Sequence, residues 1–512
     1  MMHTTSTTDV AIVGAGPIGL TLSNLLSRHE VSHIVVEAHP GLSLHPKARG
    51  VSARSMEIFR SLGLEPDIRT AGLPADHVRF YRGVDLVDPD FTRTGPATSG
   101  NAAGNTPSPG LICSQDALEP VLLAHARNAG ADIRFGVRVV GMHPDQDGVS
   151  LQVTNRAGSA LSPIHARFII GCDGGDSTIR ELSGIGMTGH VGLGHYLSVR
   201  FRAPLGAVVA DRASASYFLT GKGRGGFLAI DNDTRWIYQY PVDPSSTDVE
   251  ELRANAASLI GLIRAAAGVP GLDAVIEDTM LWRMDARQAD TYRRDRILLA
   301  GDAAHLTPPT GGHGMNVGIG DVDTLAWQLA AVVRGEADES LLERYTRERR
   351  PVGMRVIEIS TQNSRKNYAM DDELLLNTNY GVGENALPDE PYAPSAAPGR
   401  RLPHVTLSGP TGVTSTLDLI GGRFTVLTTG EDPDWSGATE TLAADHPRLQ
   451  HASVLTADRA ETDRGSWAAA TRLAGGEALL IRPDGHVASR LPRVDRTTAL
   501  RAALRRVHRV ED

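Results

Sequence analysis

Residues 9–37 read DVAIVGAGPIGLTLSNLLSRHEVSHIVVE, and this stretch decides the fold. A short apolar run, Asp9–Val13, is followed by a glycine-rich turn, by a helical pattern over Ile18–Arg28 and by a second apolar run, His33–Glu37. Two buried strands joined by a helix form a βαβ unit, and such units build parallel sheets. The sequence therefore predicts an α/β fold with a Rossmann-like domain at its N-terminal end.

The turn GAGPIG has the spacing of a dinucleotide-binding fingerprint, although the motif alone does not separate NAD from FAD. Gly14 permits a tight turn, Gly16 lets the backbone approach a pyrophosphate, and Gly19 allows the helix to pack closely on the strand. The start of the helix offers unpaired N–H groups and a positive dipole end to phosphate. Glu37 ends the second strand, where a carboxylate can accept hydrogen bonds from ribose hydroxyls. The nucleotide contacts predicted here are Gly14, Ala15, Gly16, Pro17, Ile18, Gly19, Glu37 and Ala38.

Size, charge and cysteine content restrict the class of protein. A chain of 512 residues is long enough for two or three domains. Its net charge of −9 argues against nucleic acid or an anionic membrane surface as the main partner. Cys113 and Cys172 cannot form a disulfide framework and show no metal spacing, which fits a reducing cytoplasm. The apolar stretch Val10–Leu26 is broken by glycines, so it is neither a signal peptide nor a membrane span.

The period of the apolar residues changes in the middle of the chain. From about His195 to Pro241 it becomes two, and GGFLAI, DND and TRWIYQY together predict an antiparallel hairpin. Gly383–Arg400 is rich in Pro, Ala and acidic residues without apolar periodicity, which is typical of a linker. The predicted division is a nucleotide-binding domain over residues 1–185 and 281–382, a β-sheet domain over 186–280, a linker over 383–400 and a small α/β domain over 401–512.

Two further stretches place an aspartate at the end of an apolar strand. Leu298–Asp321 reads LLAGDAAHLTPPTGGHGMNVGIGD, with Asp302 after the strand and six glycines before and within a helical pattern. Phe168–Arg180 reads FIIGCDGGDSTIR, with Asp173 after the strand and a helix start beyond it. So many missing side chains at one connection indicate that something lies close against the backbone.

Together with the N-terminal fingerprint, these stretches resemble the flavin-dependent aromatic hydroxylases, the family of p-hydroxybenzoate, phenol and aromatic polyketide hydroxylases. The resemblance covers about residues 9–370. It implies tightly but non-covalently bound FAD, NADPH or NADH as a transient co-substrate, and O₂. It also implies that a flavin C4a-hydroperoxide oxidises an electron-rich aromatic ring. In such an enzyme Asp302 would bind a ribityl hydroxyl, and the helix beginning near Met315 and Asn316 would direct its positive end at the flavin N1–O2 edge.

The resemblance assigns further FAD contacts. Gln115 matches a position that contacts the ribityl or pyrophosphate part, with a helix-cap role as the alternative. Lys47 or Arg49 would supply a basic contact, unless both are solvated surface charges. Asp173 matches a motif credited with FAD and nicotinamide binding, and a structural ion pair with Arg180 is the alternative. The remaining contacts implied in the glycine-rich loop are Pro309, Gly312, Gly314, Met315 and Asn316.

The resemblance implies that the β-sheet domain over 186–280 binds the substrate, but the sequence specifies the pocket less well. A half-buried sheet face is the commoner explanation for the aromatic residues among the candidates. No general base is identified: His305 and His313 flank the loop, but His305 belongs to the family motif and is expected to be structural, and His313 stands where many relatives have glutamine. The sequence contains no metal-binding or nucleophile motif. The pocket candidates are Tyr217, Trp236, Tyr238, Tyr240 and His313.

The C-terminal unit resembles the thioredoxin-like domain of phenol-hydroxylase-type members through ALLIRPDGHVASR, residues 478–490. It contains no cysteine, which excludes thiol–disulfide chemistry. A structural or dimerisation role follows, so a homodimer is one expectation.

The leading interpretation is an FAD- and NAD(P)H-dependent monooxygenase that hydroxylates a bulky aromatic compound, such as a polyketide intermediate in antibiotic biosynthesis. Baeyer–Villiger oxygen insertion or inactivation of an antibiotic would use the same FAD motifs with a different pocket. A protein of another class, a flavin-binding sensor or assembly subunit, would show no substrate-stimulated NAD(P)H oxidation.

Overall fold

The computed structural model describes residues 5–43, 45, 47–73, 80–94, 104–364, 373–381, 383, 386–410 and 412–509. The strands in chain order are β1 (Ser6–Val13), β2 (His33–Glu37), β3 (Gly50–Val51), β4 (Phe80–Gly83), β5 (Thr92–Thr94), β6 (Leu111–Ile112), β7 (Asp132–Phe135), β8 (Val137–Pro144), β9 (Val149–Asn155), β10 (Ile164–Gly171), β11 (Met187–Arg202), β12 (Ser216–Leu219), β13 (Gly225–Ala229), β14 (Arg235–Val242), β15 (Val275–Ala289), β16 (Arg293–Arg294), β17 (Ile297–Leu299), β18 (His305–Leu306), β19 (Thr406–Gly409), β20 (Gly412–Ser415), β21 (Phe424–Thr428), β22 (Leu449–Ser453), β23 (Ala460–Glu461), β24 (Ala478–Ile481) and β25 (Val487–Leu491).

The α-helices in chain order are α1 (Pro17–Arg28), α2 (Ala53–Ser61), α3 (Glu65–Ala71), α4 (Gln115–Asn128), α5 (Thr178–Leu182), α6 (Val249–Ala254), α7 (Ala256–Ala267), α8 (Gly314–Val333), α9 (Glu343–Ser364), α10 (Pro433–Leu442), α11 (Ser466–Thr471) and α12 (Arg496–His508). Short 3₁₀ helices cover Gly301–Ala303, Glu339–Leu342, Leu374–Asn377 and Thr416–Leu419.

The first sheet is built around parallel strands in the order β17-β10-β1-β2-β7. Phe168, Ile169 and Ile170 in β10 are wholly buried, as expected of a central strand of a parallel sheet. Helices α1 and α8 pack against each other beside this sheet. The predicted α/β fold with a Rossmann-like domain is therefore confirmed, and α1 begins one residue before the helix that the sequence predicts.

The second sheet has the order β18-β15-β11-β14-β13-β12-β4-β5 and is mainly antiparallel. It contains the predicted hairpin, in which β13 pairs with β14. Strands β4, β5 and β18 and the end of β15 lie outside the range 186–280 predicted for this domain. Pairing joins extended segments that are distant in the chain, so a boundary drawn from contiguous periodicity misses them. The division at residues 185, 280, 382 and 400 stays our proposal.

The C-terminal unit forms a sheet in the order β22-β21-β24-β25, with α10 and α12 packed on it. Phe424–Thr428 forms the central strand β21, and β24 and β25 pair as an antiparallel hairpin within the stretch ALLIRPDGHVASR. The described part of the predicted linker has no helix and no named strand, yet Ala386, Leu387 and Ala396 in it are buried. Among the described residues, no helix is both long and apolar enough to cross a membrane.

Candidate functional site

The glycine-rich turn after β1 brings three backbone segments into direct contact. Gly14 has a φ of +105°, and a Cβ atom there would lie 2.4 Å from the carbonyl oxygen of Cys172. A Cβ atom at Gly19 would lie 1.9 Å from the carbonyl oxygen of Gly14. In front of Gly16 the nearest heavy atom to such a Cβ is a carboxylate oxygen 4.0 Å away. The backbone at Gly16 is therefore open to a phosphate group, and α1 begins there without a side-chain cap.

Glu37 lies at the carboxyl end of β2, as the sequence predicts. Its Oε2 accepts a hydrogen bond of 2.9 Å from the backbone N–H of Ala15. Its Oε1 accepts one of 2.8 Å from the backbone N–H of His39, and Ala38 between them is half-buried. Oε1 also lies 2.6 Å from Nδ1 of His39. Glu37 thus ties the glycine turn to the end of β2, and its Oε2 keeps acceptor capacity for a ribose hydroxyl.

Asp302 lies in the 3₁₀ turn that follows β17. Gly301 packs on α1, where a Cβ atom would lie 2.9 Å from the side chain of Ile18. Asp302 is itself exposed, so its carboxylate points away from this packed turn. Desolvation by the surrounding protein raises the pKa of Asp302, while the charges of His305 and Lys47 oppose that rise. A hydroxyl-rich chain is a suitable partner for such a carboxylate.

The loop before α8 leaves main-chain donors exposed. Pro309 is exposed, and Gly311 and Gly312 adopt φ values of +112° and +69° that favour glycine. Helix α8 begins at Gly314 without a side-chain cap hydrogen bond and without an acidic residue in its first turn. The first-turn N–H groups, including that of Met315, therefore have no acceptor within the helix and can face an electron-rich edge of a bound ring.

Asn316 uses its whole side chain to hold this loop in place. Its Oδ1 accepts hydrogen bonds from the Ser52 N–H at 2.9 Å and the Ser55 hydroxyl at 2.7 Å. Its Nδ2 donates to the carbonyl oxygens of Gly50 at 2.9 Å and Gly312 at 2.7 Å. The predicted cofactor contact of Asn316 is therefore limited to its backbone N–H, because the amide side chain is already saturated.

Gln115 holds the segment that carries the predicted basic contacts. Its Oε1 accepts hydrogen bonds of 3.3 Å from the backbone N–H groups of Lys47 and Ala48. Its Nε2 donates to Glu119 Oε1 at 2.6 Å, and burial raises the pKa of Glu119. The side chain of Gln115 therefore fixes the position of Lys47, and a direct contact with FAD stays a prediction.

The structure separates the two candidate cations. Arg49 donates to the carbonyl oxygens of Ala215 at 2.7 Å and Ala229 at 2.5 Å, so its guanidinium binds the second sheet. Lys47 instead lies where its charge opposes the rise in the pKa of Asp302. Lys47 is therefore the better candidate for a cofactor contact, and Arg49 joins the two domains.

Asp173 and Arg180 make separate structural contacts. Asp173 accepts hydrogen bonds from the Ser177 hydroxyl at 2.5 Å and the Ile179 N–H at 3.0 Å, which fixes the start of α5. Arg180 donates at 3.1 Å to the carbonyl oxygen of Ala303, next to Asp302 in the chain. A direct ion pair between Asp173 and Arg180 is therefore not what holds this loop, and a role of Asp173 in FAD binding stays a prediction.

The structure contradicts a pocket role for most of the predicted aromatic residues. Tyr217, Trp236 and Tyr238 are at most 1% exposed and belong to the apolar core that includes α7. Tyr240 is half-buried against the same core, and His313 is 3% exposed. Alternation along β14 places the three aromatic residues of that strand on one face, as predicted, but α7 covers this face.

The opposite face of the second sheet is turned toward the nucleotide-binding domain, and we call it the inner face. The ring of Tyr196 stacks on that of Trp282, with centroids 4.6 Å apart and 14° between the planes. His45, in the segment that follows β2, hydrogen-bonds Ser198 on this face. This face was not identified from the sequence. The alternation along the strands that puts the buried aromatic residues on one side also puts the inner-face residues on the other. Its central residues are Tyr196, Ser198, Ile237, Gln239, Met280 and Trp282.

Comparisons with known proteins agree with this arrangement. A family model described as an FAD binding domain matches residues 7–360, and one described as aromatic-ring hydroxylase, C-terminal, matches residues 395–508. The tetracenomycin A2 monooxygenase-dioxygenase of Streptomyces glaucescens is 34% identical, with coverage of 98% of this chain and 97% of that protein. The aklavinone 12-hydroxylase of Streptomyces purpurascens is 33% identical, with 98% of each chain covered.

Solved structures give the same result. A crystal structure of the flavin-dependent monooxygenase PieE in complex with FAD and substrate has a TM-score of 0.87 at 27% identity, and covers 98% of this chain and 99% of that one. A ternary complex of aklavinone-11 hydroxylase with FAD and aklavinone has a TM-score of 0.86 at 30% identity, with 98% of each chain covered. The chain described here therefore belongs to the family of FAD-dependent aromatic-ring hydroxylases.

Proposed function

We propose that this flavoprotein monooxygenase hydroxylates a flat polycyclic aromatic compound of the polyketide type, with NADPH or NADH as electron donor and O₂ as oxygen source. The observation that carries the proposal is the inner face, an aromatic and polar sheet surface turned toward the residues suited to FAD. The names of relatives support the substrate class, because they refer to tetracenomycin and aklavinone.

The residues of the nucleotide-binding domain fit FAD. The open backbone at Gly16 suits the pyrophosphate, Glu37 suits the ribose, and the exposed carboxylate of Asp302 suits the ribityl chain. The uncapped start of α8 suits an electron-rich ring edge. When bound, FAD supplies the redox chemistry: it accepts hydride from NAD(P)H and activates O₂. The protein binds and orients both molecules and keeps water from the reacting atoms.

On the substrate side, the half-buried rings of Tyr196 and Trp282 offer a flat surface for stacking. Gln239 lies beside them and is also half-buried, so a polar group is available to orient the ring system. Because α7 covers the other face, we place the substrate on the inner face only.

The test is NADPH and NADH oxidation by the purified yellow protein with a panel of polycyclic phenols and quinones. We expect at least one compound to accelerate anaerobic flavin reduction, and the product to gain one oxygen on the ring. A lactone product would instead support Baeyer–Villiger chemistry. No acceleration by any compound would support a flavin-binding protein without turnover and contradict the proposal.

The proposal also covers the cellular location and the oligomeric state of the protein. Cys113 and Cys172 are free thiols, which suits a reducing compartment, so we propose a cytoplasmic location. A homodimer stays a prediction, which sedimentation equilibrium of the holoenzyme would test.

We expect Asp302→Ala to lose FAD. Hydrogen bonds to a charged group are stronger than neutral ones, and losing this one should weaken FAD binding about tenfold or more. The side chain is exposed, so the fold should persist. The measurement is the ratio of flavin to protein absorbance after purification. Asp290→Ala, at another exposed aspartate, is the control and should keep its flavin. Full flavin retention by Asp302→Ala would contradict the assigned role.

A further inference from the structure

A chain of five hydrogen-bonded side chains crosses the inner face. Asp278 Oδ2 lies 3.0 Å from His45 Nδ1, and His45 Nε2 lies 2.7 Å from Ser198 Oγ. Gln239 Nε2 donates to the same Ser198 Oγ at 2.8 Å, and Trp282 Nε1 donates to Gln239 Oε1 at 2.9 Å. Ser198 is wholly buried, whereas Gln239 and Trp282 are half-buried. The Asp278 side chain at the other end is 46% exposed, so the chain joins two accessible ends through a buried centre at Ser198.

The chemistry of the donors fixes the orientation of the Gln239 amide. An indole N–H can only donate, so the atom of Gln239 facing Trp282 must be the carbonyl oxygen. The amide nitrogen must then face Ser198 and donate a hydrogen bond to its hydroxyl oxygen. The Ser198 hydroxyl can in turn donate a hydrogen bond to Nε2 of His45. A neutral His45 with its proton on Nδ1 would donate to Asp278 in turn.

The surroundings of His45 favour this neutral form. Burial lowers its pKa, and the charges of Arg200 and Lys47 lower it further. Only Asp278, through a hydrogen bond and its charge, acts in the other direction among the groups that shift this pKa. The geometry of Asp278, His45 and Ser198 is that of a hydrolytic triad, but Ser198 is wholly buried and already accepts the Gln239 amide. It cannot reach a substrate as a nucleophile, so the chain has a positioning role instead.

We propose that Gln239 is a specificity-determining residue of the substrate site. Its amide nitrogen keeps one further N–H to donate, and its carbonyl oxygen keeps one further lone pair to accept. The contacts with Ser198 and Trp282 fix which end of the amide is the donor and which is the acceptor. This pair matches a substrate that carries a carbonyl oxygen and a hydroxyl side by side on a flat ring system stacked on Tyr196 and Trp282. Ser198 and His45 are positioning residues. The inference rests on the proposed function, because it assumes an aromatic substrate on the inner face.

The test compares two probes by titration of the flavin absorbance of the holoenzyme. One is 1,8-dihydroxyanthraquinone, with hydroxyl and carbonyl oxygens adjacent, and the other is anthraquinone, without hydroxyls. We expect the native protein to bind the dihydroxy probe about tenfold more tightly, because a polar site discriminates against a ligand that leaves it unpaired. Gln239→Leu should abolish this preference, and Ser198→Ala should reduce it to about threefold by releasing the amide.

Gln152→Leu makes the same chemical change at an exposed position of β9 and should keep the native preference. Flavin content and thermal unfolding check that each variant is folded. A general structural defect would weaken both probes equally, whereas loss of the amide weakens only the dihydroxy probe. The inference is overturned if Gln239→Leu keeps the native ratio, or if the native protein binds both probes equally or binds neither. Failure of the proposed function is a different result, the absence of substrate-stimulated NAD(P)H oxidation across the whole panel.

Discussion

Replacing Asp321 by asparagine is expected to lower the free energy of unfolding by about 3–5 kcal/mol, because it leaves a buried charge unpaired. Asp321 is wholly buried in α8. Its carboxylate lies 2.7 Å from His305 Nε2, and it accepts hydrogen bonds of 2.8 Å from Arg349 Nε and 3.2 Å from the Gly301 N–H. Asparagine keeps the shape of this side chain but removes the charge that balances the Arg349 guanidinium.

Urea unfolding of the native and Asp321→Asn proteins at pH 7 measures this loss. Asp211→Asn breaks an ion pair with Arg212 at a carboxylate that is 73% exposed, and it should cost less than about 1 kcal/mol. Combining Asp321→Asn with Arg349→Met should recover part of the loss, since the unpaired charge is then gone. A loss as small as that of the surface variant would show that Asp321 is not the counter-charge of Arg349.

The pH dependence of this loss has a definite sign. Burial acts to raise the pKa of Asp321, but the charges of His305 and Arg349 and their hydrogen bonds together hold it below its ordinary value of 3.8. A group with a lowered pKa in the folded state stabilises the protein above its unfolded pKa and ceases to do so as the pH falls through the folded value. The difference between the native and Asp321→Asn proteins should therefore be complete at pH 7 and shrink only below about pH 4.

This buried cluster also explains why the cofactor loop has a defined shape. Asp321 binds the Gly301 N–H, one residue before Asp302, and Arg349 donates at 2.9 Å to the Val317 carbonyl in the first turns of α8. His305 is wholly buried in the same cluster, in agreement with the structural role expected from its motif. The ion pairs thus fix both ends of the glycine-rich loop through buried side chains. The groups of the loop that remain available to the flavin are main-chain groups.

Local features of this fold could be predicted because their causes are close in sequence. The βαβ unit and the hairpin of β13 and β14 each depend on residues within a few dozen positions. The place of Asp302 just after a buried strand follows from the apolar run that precedes it. Periodicity and turn chemistry carry this information without knowledge of the rest of the chain.

The substrate side could not be predicted in the same way. The hydrogen bond between His45 and Asp278 joins residues 233 positions apart, and that between Arg49 and Ala229 spans 180 positions. Alternation shows that Trp236 and Tyr238 share a face, but it does not show which face a helix covers. The packing of α7 determines which face is covered. Its apolar residues Ile263 and Ala266 cover the face that the sequence suggested for substrate.

The second large effect is expected for Gly14→Ala, which should abolish FAD binding. The added Cβ is fixed to the backbone just after β1 and would lie 2.4 Å from the Cys172 carbonyl oxygen, a backbone atom just after β10. Neither strand can move without breaking its ladder of hydrogen bonds, so the turn that carries Gly16 must shift instead. We expect at least about a tenfold loss of bound flavin, because phosphate binding requires the N–H groups of the turn in one arrangement.

Gly158→Ala separates this clash from simple backbone strain. Gly158 also has a positive φ, +81°, but a Cβ atom there would meet no heavy atom within 4 Å. An alanine in this region costs about 1–2 kcal/mol from its own backbone alone, so both variants should lose that much stability. Only Gly14→Ala should also lose the yellow colour of bound flavin. Equal flavin content in the two variants would mean that strand-to-turn contact does not shape the phosphate site, and that the open backbone at Gly16 is not what receives the nucleotide.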